Sequence, residues 1–133
     1  MIKKKKKKGM NKRRHVMPQI SDFELMAKDL EKAGIAIVTV AVPASELIPT
    51  QGNFSEQKVK GMIESGKWMT KPIITSDDDY ILDGHHRWLA AAQLKKAIKC
   101  RVVDMKIDAL LDFVKGKPYV KTKTLHEGAT IQF

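Results

Sequence analysis

The sequence predicts an α/β (α+β) fold, a small mixed sheet flanked by helices, on three observations. Segments with helical periodicity alternate with short β-branched runs. Each segment is bounded by Gly, Pro or a cluster of Asp, Ser and Asn. The chain has 133 residues, 43% of them hydrophobic, enough for one buried core and too few for a second domain of ordinary size.

After Pro18, the segment SDFELMAKDLEKAG sets Ser21 and Glu24 at capping-box spacing and repeats Phe23, Met26, Ala27 and Leu30 at helical intervals up to Gly34. It reads as an amphipathic helix. IAIVTVAV at 35–42 is β-branched and ends at Pro43, which predicts a well-buried strand. The loop LIPTQGNF follows, and Ser55 then caps a helix that turns Val59, Met62 and Ile63 inward and closes at Gly66. Two short strands at 73–75 and 80–82 flank a Ser-Asp-Asp-Asp turn as a hairpin, so Asp77, Asp78 and Asp79 belong to the turn and not to a metal site. HHRWLAAAQLKKA gives a helix with Trp88, Leu89, Ala92 and Leu94 in the core, IKCRVVD a strand and KIDALLDFV a helix. From Lys115 onward periodicity is weak, and a loosely docked polar tail is expected. The domain organisation is thus a basic arm over 1–17, a domain over 18–125 and a tail over 126–133.

The formal net charge of +10 comes almost entirely from the arm. Lys3, Lys4, Lys5, Lys6, Lys7, Lys8, Lys12, Arg13 and Arg14 all fall in the first 15 residues, which contain no acid; the other 16 cations face 15 acids. Consecutive lysines repel one another and cannot pack, so the arm is expected to be disordered alone and open to a polyanion. Nucleic-acid contact and a merely solvated tail are both compatible with that composition. The basic stretch continues into NKRRHVMPQI, not into the apolar run of a signal peptide, and no segment reaches the roughly 18 apolar residues of a membrane span. A soluble protein without a membrane partner is expected. The single cysteine, Cys100, excludes an intrachain disulfide and points to a reducing, cytoplasmic setting.

The segment richest in chemistry is YILDGHHRWLAAA at 80–92. A strand ends, Asp83 and Gly84 turn the chain, and a helix starts near His85, so unpaired amides and the positive end of the helix dipole face the turn. Such a helix start suits phosphate, and Gly84 lets a ligand approach the backbone. Arg87 adds a forked cation, and His85 and His86 are candidates for hydrogen-bond donation or proton transfer. Asp83 is the candidate for holding Mg²⁺ or taking a proton from an acceptor hydroxyl. Adjacent histidines diverge, and no second His/Cys cluster accompanies them, so a structural zinc site is not expected. The loop with Thr50, Gln51, Gly52 and Asn53 is either a self-bonded turn or a substrate loop facing this junction.

From Val38 to Asp104 the chain resembles the ParB/sulfiredoxin superfamily. The resemblance rests on a leading strand, PTQGNFSEQKVKGMIESG, the KPIIT strand, DGHHRWLAAA and the closing IKCRVVD. It implies a compact ParB/sulfiredoxin-like domain. Sulfiredoxins carry their reactive Cys where this chain has His85, so thiol repair is not implied. Partition ParB proteins are similar around Gly84, Arg87 and Ala90 but continue into a helix-turn-helix domain. Free serine kinases share the Asp-Gly-His-His-Arg form, which would carry onto Asp83, His85, His86 and Arg87 as a catalytic site. Gly84, Thr50 and Gln51 would then join the histidines and Arg87 around the nucleotide. In those kinases the loop after the first strand holds an acidic residue, whereas here it holds Gln51 and Asn53, flanked by Glu46 and Glu56. Small members with a basic arm are typical of phages and mobile elements, which implies a bacterial or phage-infected cytoplasm and, for some, modification of DNA bases.

The resulting expectation is a phosphotransferase that uses ATP or ADP with Mg²⁺. Its acceptor would be DNA recruited by the arm, for instance a hydroxymethylated base, or a small hydroxyl compound. The alternatives are a nucleotide-gated DNA-binding module without chemistry and a ParB-like nuclease. The nuclease is disfavoured by the single carboxylate at the junction.

Overall fold

A computed structural model describes residues 18–122 together with 131 and 132. The basic arm and most of the 126–133 tail, and the readings that fall on them, lie outside the described residues. The fold is mixed α and β, as the sequence predicts. In chain order the elements are β1 (Pro18–Ile20), α1 (Phe23–Lys32), β2 (Ile37–Pro43), a 3-10 turn (Ala44–Glu46), β3 (Asn53–Phe54) and α2 (Glu56–Ser65). A second 3-10 turn (Lys67–Met69), β4 (Ile73–Ser76), β5 (Ile81–Asp83), α3 (His85–Gln93), β6 (Ala97–Val103), α4 (Ile107–Val114), β7 (Val120–Thr122) and β8 (Ile131–Gln132) follow.

The central sheet has four strands in the order β2-β6-β4-β5. β6 runs antiparallel to β2 and parallel to β4, and β4 and β5 form the expected hairpin with a register shift between Ile74 and Thr75. Successive side chains of a strand point to opposite faces, so Ile73 and Ile74 enter different cores. On one face Ile73, Ile81, Ile98 and Cys100 pack with Leu89, Ala90 and Ala91 of α3 and with Phe54, Val59 and Trp68. On the other, Ile74, Leu82 and Val103 pack with Met26 and Leu30 of α1 and Leu110 and Val114 of α4. The sheet is therefore sandwiched between two helical layers, and β5 delivers its C-terminal end directly to the start of α3.

Four expectations need correction. The N-cap of α1 is Asp22, whose carboxylate accepts from Leu25 N at 3.2 Å, so the Ser21–Glu24 capping box does not form; Ser21 donates instead to Tyr119 O. β2 is an edge strand and not a well-buried one: Val38 is 56% and Val40 43% exposed, because only β6 pairs with it and α3 packs over β4 and β6. α3 ends at Gln93, so Leu94, at its C-cap, is exposed. The C-terminal region is also more ordered in pattern than its periodicity suggests: β7 pairs with β1, and residues 131 and 132 pair with β3. Its strands are too short, at two or three residues, for an alternation to register in sequence.

A candidate phosphate-binding cleft at the start of α3

Gly84 sits at the N-cap of α3 with φ +100°, in the left-handed region that favours glycine. It brings no side-chain cap, and the first intrahelical bond is Trp88 N to Gly84 O at 2.9 Å. The amides of residues 85–87 therefore have no acceptor within the helix. They open onto a cleft of about 480 Å³. Asp83, Gly84, His85, His86 and Arg87 form one wall, and Gln51 enters from the loop. Lys58, Gly61, Met62 and Ser65, spaced to share one face of α2, form the opposite wall, with Lys67 from the second 3-10 turn and Gln19 from β1 at its ends.

Each of the two histidines holds the loop through its Nε2. His85 Nε2 accepts from Thr50 N at 3.1 Å, while the Thr50 hydroxyl, 3.0 Å from the same nitrogen, donates to Ile81 O at 2.6 Å. His86 Nε2 accepts from Ser55 N at 2.8 Å. Each ring accepts through Nε2, so each carries its proton on Nδ1. Burial pushes His85 down to about 3, with His86 as a smaller cause, so it stays neutral. Phe54 locks the arrangement, its ring lying 6.0, 5.8 and 6.1 Å from those of His85, His86 and Trp88. Proton shuttling by His85 does not fit this geometry. Thr50 likewise spends its hydroxyl on Ile81 and does not line the cleft, whereas the buried Gln51 does.

Asp83 and Arg87 are the two charged residues of the junction. Asp83 accepts from Ile20 N at 3.3 Å, and burial raises its carboxyl above the ordinary range against the opposing charges of Arg87 and Lys71. Arg87 Nη2 donates to Pro72 O at 3.4 Å, but its Nε is buried with no hydrogen-bond partner. Burial lowers the guanidinium's proton affinity, and the carboxylate of Asp83 opposes that. A buried donor without an acceptor costs on the order of 1–3 kcal/mol, a cost this Nε carries in the fold.

Other candidates are placed elsewhere. Asp78 accepts from Ser76 Oγ and from Ile107 N, which caps α4, and Asp77 pairs with Lys106 at 3.2 Å. Cys100 is buried on β6 with its thiol raised to about 11, chiefly by burial, which holds it protonated near neutral pH. Among the described residues no group of three or more His, Cys, Asp or Glu side chains is placed to hold a metal. No described helix is long and apolar enough to cross a membrane.

The cleft also contains Gln19, Lys58 and Lys67, which sequence reasoning did not single out. The α2 residues had a signal, a lysine, a glycine and a serine on one helical face; Gln19 had none, because the pairing of β1 with β7 puts it there. Comparison with family models, curated proteins and solved structures gives no match for this chain.

Proposed function

We propose that the protein is a nucleotide-dependent phosphotransferase, with ATP or ADP seated by its phosphates at the start of α3 and Asp83 acting on the acceptor. The observation that carries this reading is the meeting of an uncapped helix start, the side chain of Arg87, and Lys58 and Lys67 in the lining of one cleft. Each of these features favours negative charge, and phosphate is the anion that helix starts and forked guanidinium groups hold best. The resemblance of the DGHHR segment to the free serine kinases points the same way.

The chemistry asked of the residues is modest. Asp83, with its proton affinity raised by burial, takes the proton of the acceptor hydroxyl; the freed oxygen forms a bond to the terminal phosphorus as the bridging P–O bond breaks and the shortened nucleotide leaves. Arg87 and the lysines offset charge on the transferred group, and Mg²⁺ carried by the nucleotide would share that task. His85 and His86 act as positioning residues by fixing the loop that carries Gln51 into the cleft. Incubation with terminally labelled ATP or ADP and hydroxyl acceptors, including DNA, tests this. Label transfer that falls at least 100-fold in Asp83→Asn is expected; nucleotide recovered intact in every reaction contradicts it.

A second reading, a nucleotide-gated DNA-binding module, is favoured by one observation: with the Nε2 of each histidine held by a backbone amide, Asp83 is, among the described residues, the sole carboxylate lining the cleft. It predicts bound nucleotide that changes DNA affinity without turnover.

A further inference from the structure

We propose that the rim of the cleft formed by the turn at 67–71 is the docking surface for a nucleic-acid strand, and that this strand carries the acceptor hydroxyl. The proposal rests on the phosphotransferase reading and narrows its acceptor from any hydroxyl compound to a nucleic acid.

Two independent placements lead here. The first is the turn itself. Gly66, with φ +72°, closes α2, and the chain then folds back with Met69 N on Gly66 O, Thr70 N on Lys67 O, and the Thr70 hydroxyl on Lys67 O at 2.8 Å. Trp68 is buried and anchors the turn, so its neighbours are held facing outward. Lys67 lines the cleft, Met69 is 63% exposed, and Lys71 is exposed. Pro72, the next residue, receives the guanidinium of Arg87 on its carbonyl. Two cations with an exposed apolar side chain between them thus continue the positive lining of the cleft onto the surface. Phosphates alternating with apolar bases are the ligand that matches this order.

The second placement is the point where the arm joins the body. β1 starts at Pro18, Gln19 lines the cleft, and Ile20 N donates to Asp83. The described chain therefore begins beside the cleft, and the nine cations precede that point in sequence. At ~3.5 Å per residue at most, Arg14 cannot be more than ~14 Å from Pro18, nor Lys8 more than ~35 Å. A strand held by the arm has its neighbouring nucleotides within reach of the turn, and the turn hands them to Asp83. An uncharged small acceptor would have no use for either feature.

Lys71 provides the test because it lies outside the cleft lining, and Lys96, exposed beyond the other end of α3, provides the control. The full chain would be titrated against a labelled 20-nucleotide single-stranded DNA by fluorescence anisotropy at several salt concentrations, and against ATP by thermal shift. Loss of one phosphate contact, at a slope of ~0.7 per phosphate, weakens binding by about eightfold at 0.05 M salt. Lys71→Ala should show that loss and a shallower salt slope, with ATP affinity unchanged, while Lys96→Ala changes DNA affinity by less than about twofold. Equal effects of the two substitutions overturn the docking surface. If the Lys71 effect is present but ATP does not bind the wild-type chain, the surface stands and the phosphotransferase reading fails. If ATP binds and the two lysines prove equivalent, the reverse holds.

Discussion

Gly84 is the residue on which the cleft turns. A Cβ built there would lie 2.5 Å from Ile73 Cγ2 and 2.9 Å from Arg87 Nη2, and its φ of +100° is one that L side chains rarely adopt. Gly84→Ala is expected to destabilise the fold by about 2 kcal/mol or more, read by urea denaturation, since strain and overpacking act together. His85 and Asp83 give opposite pH dependences. His85 is held near 3 when folded and returns to ~6.5 when unfolded, so the unfolded state binds the extra proton between those values and stability falls as pH drops from ~6.5 toward 3. Fully developed, that loss is on the order of 5 kcal/mol. Asp83 is raised in the fold, so its contribution falls as pH rises from ~3.9 through its folded value. His85→Gln, which keeps a side-chain acceptor for Thr50 N, should flatten the acid limb, and Asp83→Asn should remove the opposing one. Urea unfolding across pH 3–8 reads both, and an acid limb unaltered by His85→Gln contradicts the latch.

Elements were legible where one local device determines them. Ser55 accepts from Lys58 N at 3.3 Å and caps α2 as its sequence predicts, so Ser55→Ala should lower stability by about 1 kcal/mol, read by thermal melting. The strand-to-helix junction at 83–85 was equally plain, because a β-branched strand, a glycine and a helical repeat follow one another without a gap. β2 was misplaced because a run such as IVTVAV carries no information about how many neighbours a strand has; sheet order decides that, and sheet order is a property of distant segments. The capping of α1 went wrong for a smaller reason. Ser21 and Asp22 are adjacent and both able to cap, and Ser21 finds Tyr119 O, a partner 98 residues away that spacing arguments cannot see.

At the scale of the molecule, the sheet brings Asp83 and Arg87 to the mouth of a cleft whose other wall, α2, precedes them by some twenty residues. The nearest part of this, DGHHR, could be read from five consecutive letters. The role of its two histidines could not, because whether a histidine donates, accepts or titrates depends on what faces it, here the amides of Thr50 and Ser55. The central claim is that the α3 start and Arg87 seat a polyphosphate. Its most direct test is a thermal-shift titration of the wild-type chain and Arg87→Ala with ATP and ADP, with and without Mg²⁺. At 100 times the dissociation constant a bound nucleotide stabilises the wild type by ~2.7 kcal/mol, a shift on the order of 10 °C for a domain this size, and Arg87→Ala should weaken affinity by at least tenfold. Melting temperatures that no nucleotide moves, or equal affinity in the two proteins, would contradict the account.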